Sequence, residues 1–183
     1  ATSCLGIDKR TVDSGAYELI MDDKPVADCT LVNTKLNISI IPSSPALSGA
    51  EVELVNELAR ESRLKQRLKP VLRNYDYILL DCPPSLSLLT LNALVAAEAV
   101  IIPVQCEYLA LEGLGQLAQT ITRVRNAMNT HLNIRGLVMT MFDVRATLST
   151  QVVEEVRKHF PGKIFSSIIP RNVRVAEAPS HGL

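Results

Sequence analysis

The residue best placed for chemistry is Asp81, which follows the apolar run Tyr77–Leu80 and precedes Cys82-Pro83-Pro84. A short unbroken apolar run is typical of a strand buried on both faces of a parallel sheet. The two prolines cannot continue such a strand, because they lack the N–H groups that its ladder needs. Asp81 is therefore expected at the carboxyl end of a strand, where open α/β sheets bind ligands. Two interpretations stay open: a carboxylate that holds Mg²⁺ in a nucleotide site, or an aspartate that only caps a turn.

Loops rich in proline and polar residues follow the other predicted strands as well. Because the carboxyl ends of parallel strands lie along one edge of the sheet, these loops are expected to converge on one ligand. Each loop alone is ordinary, and only the set indicates a nucleotide-type site. The four loops are Ile41-Pro42-Ser43-Ser44, Pro103-Val104-Gln105-Cys106-Glu107, Thr140-Met141-Phe142-Asp143 and Pro170-Arg171-Asn172.

Strands and helices alternate from Leu36 to Pro170. This alternation predicts an α/β fold with a mostly parallel twisted sheet and helices on both faces. The predicted strands are Leu36–Ile41, Tyr77–Asp81, Val100–Val104, Gly136–Met141 and Ile164–Ile169. The predicted helices after the second, third and fourth of these strands are Ser85–Glu98, Tyr108–Asn129 and Thr147–Phe160. The residues before Pro25 favour irregular chain with a short helix through Tyr17–Met21.

The segment after the first predicted strand carries a helix-start signal. Ser48 followed by Glu51 has the spacing of a capping box. A long helix is expected to follow, with Leu54 and Leu58 on one face and Leu64, Leu68 and Leu72 further along it, and Pro70 should end or kink it.

The bulk composition is that of a globular protein. Of 183 residues, 47% are hydrophobic and the formal net charge is zero. No apolar run approaches the roughly 18 residues typical of a membrane span. The 4 cysteines form no Cys-x-x-Cys pair, which favours reduced cytosolic thiols over a metal site or a disulfide framework. Residues 135–183 carry 7 Lys and Arg against 4 Asp and Glu, whereas residues 1–134 carry 12 against 15, so a polyanion would favour the second part.

A more specific signal comes from blocks that run in order through almost the whole chain. They are Tyr75-Asp-Tyr-Ile-Leu-Leu-Asp-Cys-Pro-Pro-Ser-Leu, Leu91-Asn-Ala-Leu, Pro103-Val-Gln-Cys-Glu-Tyr-Leu-Ala-Leu-Glu-Gly-Leu, Thr140-Met-Phe-Asp-Val-Arg and Ile169-Pro-Arg-Asn-Val-Arg-Val-Ala-Glu-Ala-Pro-Ser-His-Gly. In this combination the chain resembles the ParA/Soj family of chromosome- and plasmid-partitioning ATPases. Ala1–Ile7 is similar to the segment just after that family's second catalytic motif.

The chain also departs from the family's pattern. No Gly-x-x-x-x-Gly-Lys-[Ser/Thr] motif occurs in the 183 residues, so no nest of backbone N–H groups and no lysine serves the β- and γ-phosphates. The family's closing helix after His181-Gly182 is not found either. We expect a single P-loop NTPase-like domain over residues 1–183, truncated at both ends, that hydrolyses ATP negligibly by itself.

The resemblance implies roles for individual residues. Asp81 would hold Mg²⁺ through a water, as the catalytic Walker B carboxylate. A switch loop that senses the γ-phosphate would comprise Pro83, Pro84 and Ser85. The adenine pocket would be lined by Met141, Phe142, Pro170, Arg171 and Asn172. Asn172 would form hydrogen bonds with the edge of the base. Contacts to DNA phosphates in the ATP-bound homodimer would come from Arg145 and Arg174.

Simpler roles remain open for several of these side chains. Arg145 and Arg174 would also fit ordinary solvated surface positions. Arg171 could pair with Glu177 instead of touching a nucleotide. Glu107 suits the start of the long helix, where an acidic side chain complements the helix dipole.

Two functions follow from the resemblance. The first is a cytoplasmic, nucleoid-associated ATPase that binds ATP and Mg²⁺, dimerises, coats DNA without sequence preference, and releases it after hydrolysis stimulated by a ParB-type centromere-binding protein. The second is a non-catalytic remnant that binds DNA or a partner protein. A membrane-bound relative of the cell-division-site type is disfavoured, because no basic amphipathic helix is found near the end of the chain.

Overall fold

The computed structural model describes residues 1–83 and 85–181. It divides into two compact units. The first contains residues 1–96 and the residues from Glu177 onward, and the second contains residues 97–176. The expectation of a single domain stays a prediction, and each unit is described by itself.

The second unit is a parallel three-stranded sheet with two crossover helices. Its strands are hydrogen-bonded in the order β3-β4-β5. Its elements in chain order are β3 Ala99–Gln105, α5 Leu109–Ala127, β4 Asn133–Phe142, α6 Thr147–His159 and β5 Ile164–Pro170, and α7 Val173–Glu177 follows at the boundary of the unit. Every strand and helix predicted for residues 100–169 is present. The α/β class and the parallel sheet are thereby confirmed.

The core of the second unit lies between the sheet and its helices. Along β3, Ile102 and Val104 are buried, whereas Ile101 is 52% exposed, as the twofold alternation of a strand requires. The helices contribute residues three or four positions apart, which places them on one face. The buried helical residues are Leu114, Ile121 and Val124 of α5 and Val152, Val153 and Val156 of α6. Burying each such side chain stabilises the unit by about 1.5–3 kcal/mol.

The pairing of strand β4 is irregular at three points, of which one, between Leu137 and Met139, lies in the middle of its pairing with β5 and the other two lie near its ends. Near its start, the register with β3 shifts between Val100 and Ile101. Near its end, Met139 pairs with Ile168 and Phe142 pairs with Pro170, so β4 has one residue more than β5 over this stretch. Met141 absorbs the extra length with a φ of 54°, a left-handed conformation that is strained for a non-glycine residue. Such bulges bend the strand and redirect the side chains that follow.

The first unit is mainly helical. Its elements in chain order are α1 Ala16–Met21, β1 Leu31–Asn33, β2 Ile38–Ile40, α2 Leu47–Glu53, α3 Arg63–Leu68 and α4 Leu88–Ala96. Helices α1 and α4 confirm the predicted short helix and the predicted buried helix. Arg63 ties α1 to α3, because its guanidinium donates to Ile20 O at 2.7 Å and Met21 O at 3.0 Å. These carbonyls end α1 and lack a partner within the helix.

The predicted strand Leu36–Ile41 is present in part, but its place in a parallel sheet was wrong. Strand β2 pairs antiparallel with β1. The turn between them explains the pairing: Asn33 Oδ1 accepts from the N–H groups of Lys35 and Leu36 at 3.1 Å each, and Asn37 has a φ of 51°. Asparagine favours both features, so the chain reverses within four residues and forms a hairpin.

The predicted strand Tyr77–Asp81 was also wrong. The segment forms no ladder, and Tyr77 and Leu79 are each 87% exposed. A strand is stable only when a neighbour satisfies its N–H and C=O groups. Within residues 1–83 and 85–181, no strand pairs with this segment. The apolar composition is therefore not sufficient to bury it.

The predicted capping box and the long helix after it were wrong as well. Helix α2 begins at Leu47, and no side chain caps its start. The chain leaves the helix after Glu53, turns through Ala59 with a φ of 51°, and resumes as α3 at Arg63. Buried Asn92 of α4 holds this turn, since its Nδ2 donates to Arg60 O at 2.7 Å and its Oδ1 accepts from Leu64 N at 3.1 Å. These tertiary contacts override the leucine periodicity.

Candidate functional site

The loops after β3, β4 and β5 are fastened to one another at the carboxyl edge of the sheet. Cys106 N donates to Thr140 O at 3.0 Å, and Arg171 N donates to Phe142 O at 2.9 Å. Ser149 Oγ accepts from Asp143 N at 3.4 Å and donates to Cys106 O at 3.5 Å. The convergence that the sequence predicts for these three loops is therefore observed within the second unit.

An apolar surface lies where β4 and β5 end. Phe142 pairs with Pro170 in the ladder, and the strained Met141 comes directly before it. Phe142 is half-buried, while Met141 and Pro170 are exposed. Flat apolar groups of this kind can pack against the face of a planar ring.

Arg171 extends from the end of β5 to the loop after β3. Its Nη2 lies 2.8 Å from Oε1 of Glu107, and both side chains are about half exposed. The partner of Arg171 is thus Glu107, and not Glu177 as the sequence also allowed. An exposed pair of this kind contributes little stability, about 0–1 kcal/mol. Its main effect is to hold the guanidinium beside the apolar surface.

Asp143 and Arg145 form a second ion pair, one loop further along. Asp143 Oδ1 accepts from Arg145 N at 3.0 Å, which closes an Asx turn, and also from Arg145 Nε at 3.0 Å. Asp143 Oδ2 accepts from Arg145 Nη2 at 2.8 Å. The Arg145 side chain is 85% exposed and that of Asp143 is 25% exposed.

These contacts shift the protonation equilibrium of the carboxyl group. The guanidinium of Arg145 lowers the pKa of Asp143 to about 2, helped by the backbone N–H of Arg145 and by the charge of Arg171. The same hydrogen bonds raise the pKa of Arg145. The pair is thus fully ionised at neutral pH.

Asn172 starts the short helix α7. Its Oδ1 accepts from Arg174 N at 2.8 Å, as a residue at a helix start commonly does. The oxygen that could read a base edge is therefore engaged, and any such contact would fall to the amide nitrogen. Arg174 is exposed and makes no ion pair with the residues that the structure describes.

The remaining predicted site residues belong to the first unit. Asp81, Pro83 and Ser85 are exposed, and Pro84 lies outside the described residues. The carboxylate of Asp81 is paired with the amino group of Ala1. A carboxylate oxygen is a ligand that Mg²⁺ prefers, but no cluster of three or more His, Cys, Asp or Glu side chains surrounds it in the described part of the chain. The residues present offer one metal ligand and no phosphate cradle, so they do not form a complete magnesium–nucleotide site.

Two site residues were missed from the sequence. The sequence predicts Asp143 only as a member of a polar loop, and Glu107 only as an acidic residue at the start of a helix. Asp-x-Arg is the spacing of an Asx turn with an arginine clamp, and that signal was readable for Asp143. For Glu107 no signal was readable, because its partner follows 64 residues later.

Known proteins with similar sequences and structures show to which family this chain belongs. Residues 1–134 match a family model described as an AAA domain. The sporulation initiation inhibitor protein Soj of Bacillus subtilis is 53% identical over 182 residues, which covers 100% of this chain and 72% of Soj. The chain belongs to the Soj/ParA family. The chromosome partitioning protein ParA of Myxococcus xanthus is 50% identical, and this chain spans 100% of its own length and 64% of that protein.

Two solved structures share the α/β fold of the Soj/ParA chain. Cobyrinic acid a,c-diamide synthase of Mycobacterium smegmatis, solved with bound ADP and magnesium, superposes with a TM-score of 0.85 at 33% identity, over 97% of this chain and 72% of the other. Apo McdA of Cyanothece superposes with a TM-score of 0.89 over 100% of this chain and 74% of its own, and at 22% identity it bears on the fold alone. Within the described residues, the structure contains no helix with the length and apolarity to cross a bilayer.

Proposed function

We propose that the chain has the DNA-binding role of a ParA/Soj-type partitioning ATPase, without sequence preference, and that ATP-dependent dimerisation and turnover in this family require a phosphate-binding P-loop that these 183 residues do not contain. A ParB-type centromere-binding partner would stimulate hydrolysis and release. The support is the membership of the Soj/ParA family and the chemistry of the sheet edge. In this proposal Met141, Phe142, Pro170, Arg171 and Asn172 of the second unit receive the adenine base.

The DNA-binding part rests on one observation: two exposed arginines follow the neighbouring strands β4 and β5. Arg145 and Arg174 lie in the segment 135–183, which carries 7 Lys and Arg against 4 Asp and Glu. Guanidinium groups that follow neighbouring strands, here one on a loop and one in the short helix α7, can contact phosphates of one backbone. Such contacts read no bases, so the binding is expected to be non-specific and strongly dependent on salt.

The chain's own residues offer no cradle for the β- and γ-phosphates. Most of the catalysis of phosphoryl transfer is positioning and charge stabilisation by groups of that kind. We therefore propose that the 183-residue chain by itself turns over ATP negligibly. Turnover equal to that of the Bacillus subtilis Soj protein, measured side by side by phosphate release, would contradict this part of the proposal.

The DNA-binding part is tested by fluorescence anisotropy on two duplexes of unrelated sequence, between about 50 and 200 mM salt. Arg174→Ala should weaken binding up to about eightfold at 0.1 M salt and lower the salt slope by about 0.9, the value of one phosphate contact. Arg145→Ala should cause a smaller loss in the same direction, because Asp143 already neutralises part of its charge. Equal affinity for the two duplexes is expected.

Arg157→Ala is the matched control. Arg157 is exposed in the last turn of α6, roughly 15 Å along that helix from its start beside Arg145. The substitution Arg157→Ala removes one positive charge from the second unit, as Arg174→Ala does, but the charge that it removes does not lie at the carboxyl edge of the sheet. An equal loss with Arg157→Ala and Arg174→Ala would mean that net charge alone is responsible, and absence of binding at about 50 mM salt would refute DNA binding by this chain.

A second candidate function is a non-catalytic protein that binds DNA or a partner through the same surface. It is favoured by the presence of the exposed arginines without a phosphate cradle. Added Mg²⁺ and ATP separate the two candidates. The ATPase requires that nucleotide tightens DNA binding, whereas the non-catalytic protein binds equally well with and without it.

A further inference from the structure

Asp143 accepts hydrogen bonds from Nε and Nη2 of Arg145, two donors that could also bind a phosphate. Arginine binds carboxylates and phosphates with the same fork of parallel N–H groups. In Arg145, Nε and Nη2 both donate to the Asp143 carboxylate, at 3.0 Å and 2.8 Å. Nη1 is not used in this pair, so a phosphate could still bind at the edge formed by Nη1 and Nη2. It would then lie close to the Asp143 carboxylate, which already neutralises the guanidinium charge and occupies one of its two binding edges.

The two partners of this pair are not equally free to move. Asp143 is fixed by its backbone, since its N–H donates to Ser149 Oγ at 3.4 Å and its C=O accepts from Ala146 N at 3.1 Å. Its side chain is only 25% exposed, whereas that of Arg145 is 85% exposed. When DNA approaches, the guanidinium can turn away but the carboxylate stays. It would then repel the phosphate at a distance where screening by salt is incomplete.

We infer that Asp143 opposes nucleic-acid binding by masking Arg145, and that the strength of DNA binding is set by this carboxylate as well as by the arginines. The inference rests on the proposed DNA binding and adds a residue to it. Its consequence is that Arg145 contributes less than a full phosphate contact in the unmodified chain. Arg174, which has no such partner among the described residues, contributes a full one.

The test is the variant Asp143→Asn. Asparagine keeps a side-chain oxygen that can accept from Arg145 N, so the Asx turn is preserved while the negative charge is removed. The DNA affinity should rise about threefold at 0.1 M salt, and the salt slope should steepen by up to about 0.9, as one further phosphate contact becomes effective. Glu154→Gln, which removes one negative charge from the exposed face of α6, should leave both quantities nearly unchanged.

A double-mutant cycle separates masking from a general gain in charge. If Asp143 masks Arg145, then Arg145→Ala loses more affinity in the Asp143→Asn background than in the unmodified chain, by about threefold. If the losses are equal in the two backgrounds, the inference fails. It also fails if Asp143→Asn binds no tighter than the unmodified chain.

Failure of this inference is distinct from failure of the proposed function. If the unmodified chain binds DNA and Asp143→Asn binds it with the same affinity, only the masking role of Asp143 is refuted. If neither protein binds DNA, the masking role and the proposed DNA binding are both refuted. Where Asp143→Asn folds poorly, as judged by circular dichroism, Asp143→Ala provides the same loss of charge, and its salt slope gives the same decision.

Discussion

Asn92 is the side chain whose replacement should destabilise the first unit most clearly. It is 1% exposed, and it makes three hydrogen bonds. Its Nδ2 donates to Arg60 O at 2.7 Å and to Leu88 O at 3.0 Å, and its Oδ1 accepts from Leu64 N at 3.1 Å. Replacement by leucine keeps the volume of the side chain but removes every one of these bonds.

The magnitude follows from which partners stay satisfied. Leu88 O lies four residues before Asn92 in α4 and still accepts the helical N–H, so it loses little. Arg60 O and Leu64 N lose the Asn92 side chain as partner, at about 1–3 kcal/mol each. The gain from burying a leucine, about 1.5–3 kcal/mol, offsets part of this. We expect Asn92→Leu to lower the free energy of unfolding by about 2 kcal/mol, the difference between the middles of these ranges.

Equilibrium unfolding in urea, followed by far-UV circular dichroism, measures this quantity. Hydrogen exchange at the amide of Leu64 gives a local readout, and it should accelerate in Asn92→Leu beyond the global change. Asn56→Leu is the matched control, because Asn56 is exposed and its replacement should change stability by no more than about 0.5 kcal/mol. A loss below about 1 kcal/mol in Asn92→Leu, with unaltered exchange at Leu64, would refute the reasoning.

Two further predictions concern the second unit. A Cβ at Gly136 would lie 2.5 Å from Phe165 Cε2 and 3.0 Å from Lys163 O, so Gly136→Ala should destabilise by about 1–3 kcal/mol, and Phe165→Leu in that background should restore part of the loss. An unaltered thermal midpoint in Gly136→Ala would contradict the close packing. The NMR chemical shift of the Asp143 carboxyl carbon, followed against pH, should show a pKa of about 2. In Arg145→Ala this pKa should lie nearer the ordinary value of an aspartate. Since the folded-state pKa is the lower one, stability from this pair should persist above about pH 4 and disappear as the pH falls towards 2.

The sequence was sufficient for the second unit because each signal there is local and agrees with the fold. Residues 100–169 alternate apolar runs with helices of regular period, and each strand pairs with a neighbour that is near in the chain. Short-range parallel units of this kind need only the correct order of elements. The same pattern also predicted that the loops after β3, β4 and β5 share the carboxyl edge, but it wrongly added the loops after Ile41 and Asp81.

The first unit could not be predicted as well, because tertiary contacts decide its local structure. The leucines between Leu54 and Leu72 have helical spacing, yet Asn92 and Arg63 hold the chain in two separate helices. The hairpin of β1 and β2 depends on the turn at Asn33–Asn37, where the asparagines favour a reversal of the chain. Apolar periodicity gives no information on either feature.

The sequence predicts where in the fold the candidate site lies, but not which side chains contact each other there. Loop position follows from topology, so Phe142, Pro170 and Arg171 were expected together and are found together. The partners of the arginines depend on side-chain reach across the edge of the sheet. Arg171 chooses Glu107 over Glu177 as its ion-pair partner, and sequence distance alone would have favoured the opposite choice.

Asp81 shows that a carboxylate directly after an apolar run is not by that fact alone positioned as a metal ligand. A ligand must be held within about half an ångström of its working position, and rigid elements achieve this better than loops. Residues 77–81 have the composition of a buried strand, but they are exposed and unpaired within the described chain. Backbone pairing therefore does not hold Asp81 in one position, and the described residues do not fix its carboxylate as a ligand for Mg²⁺.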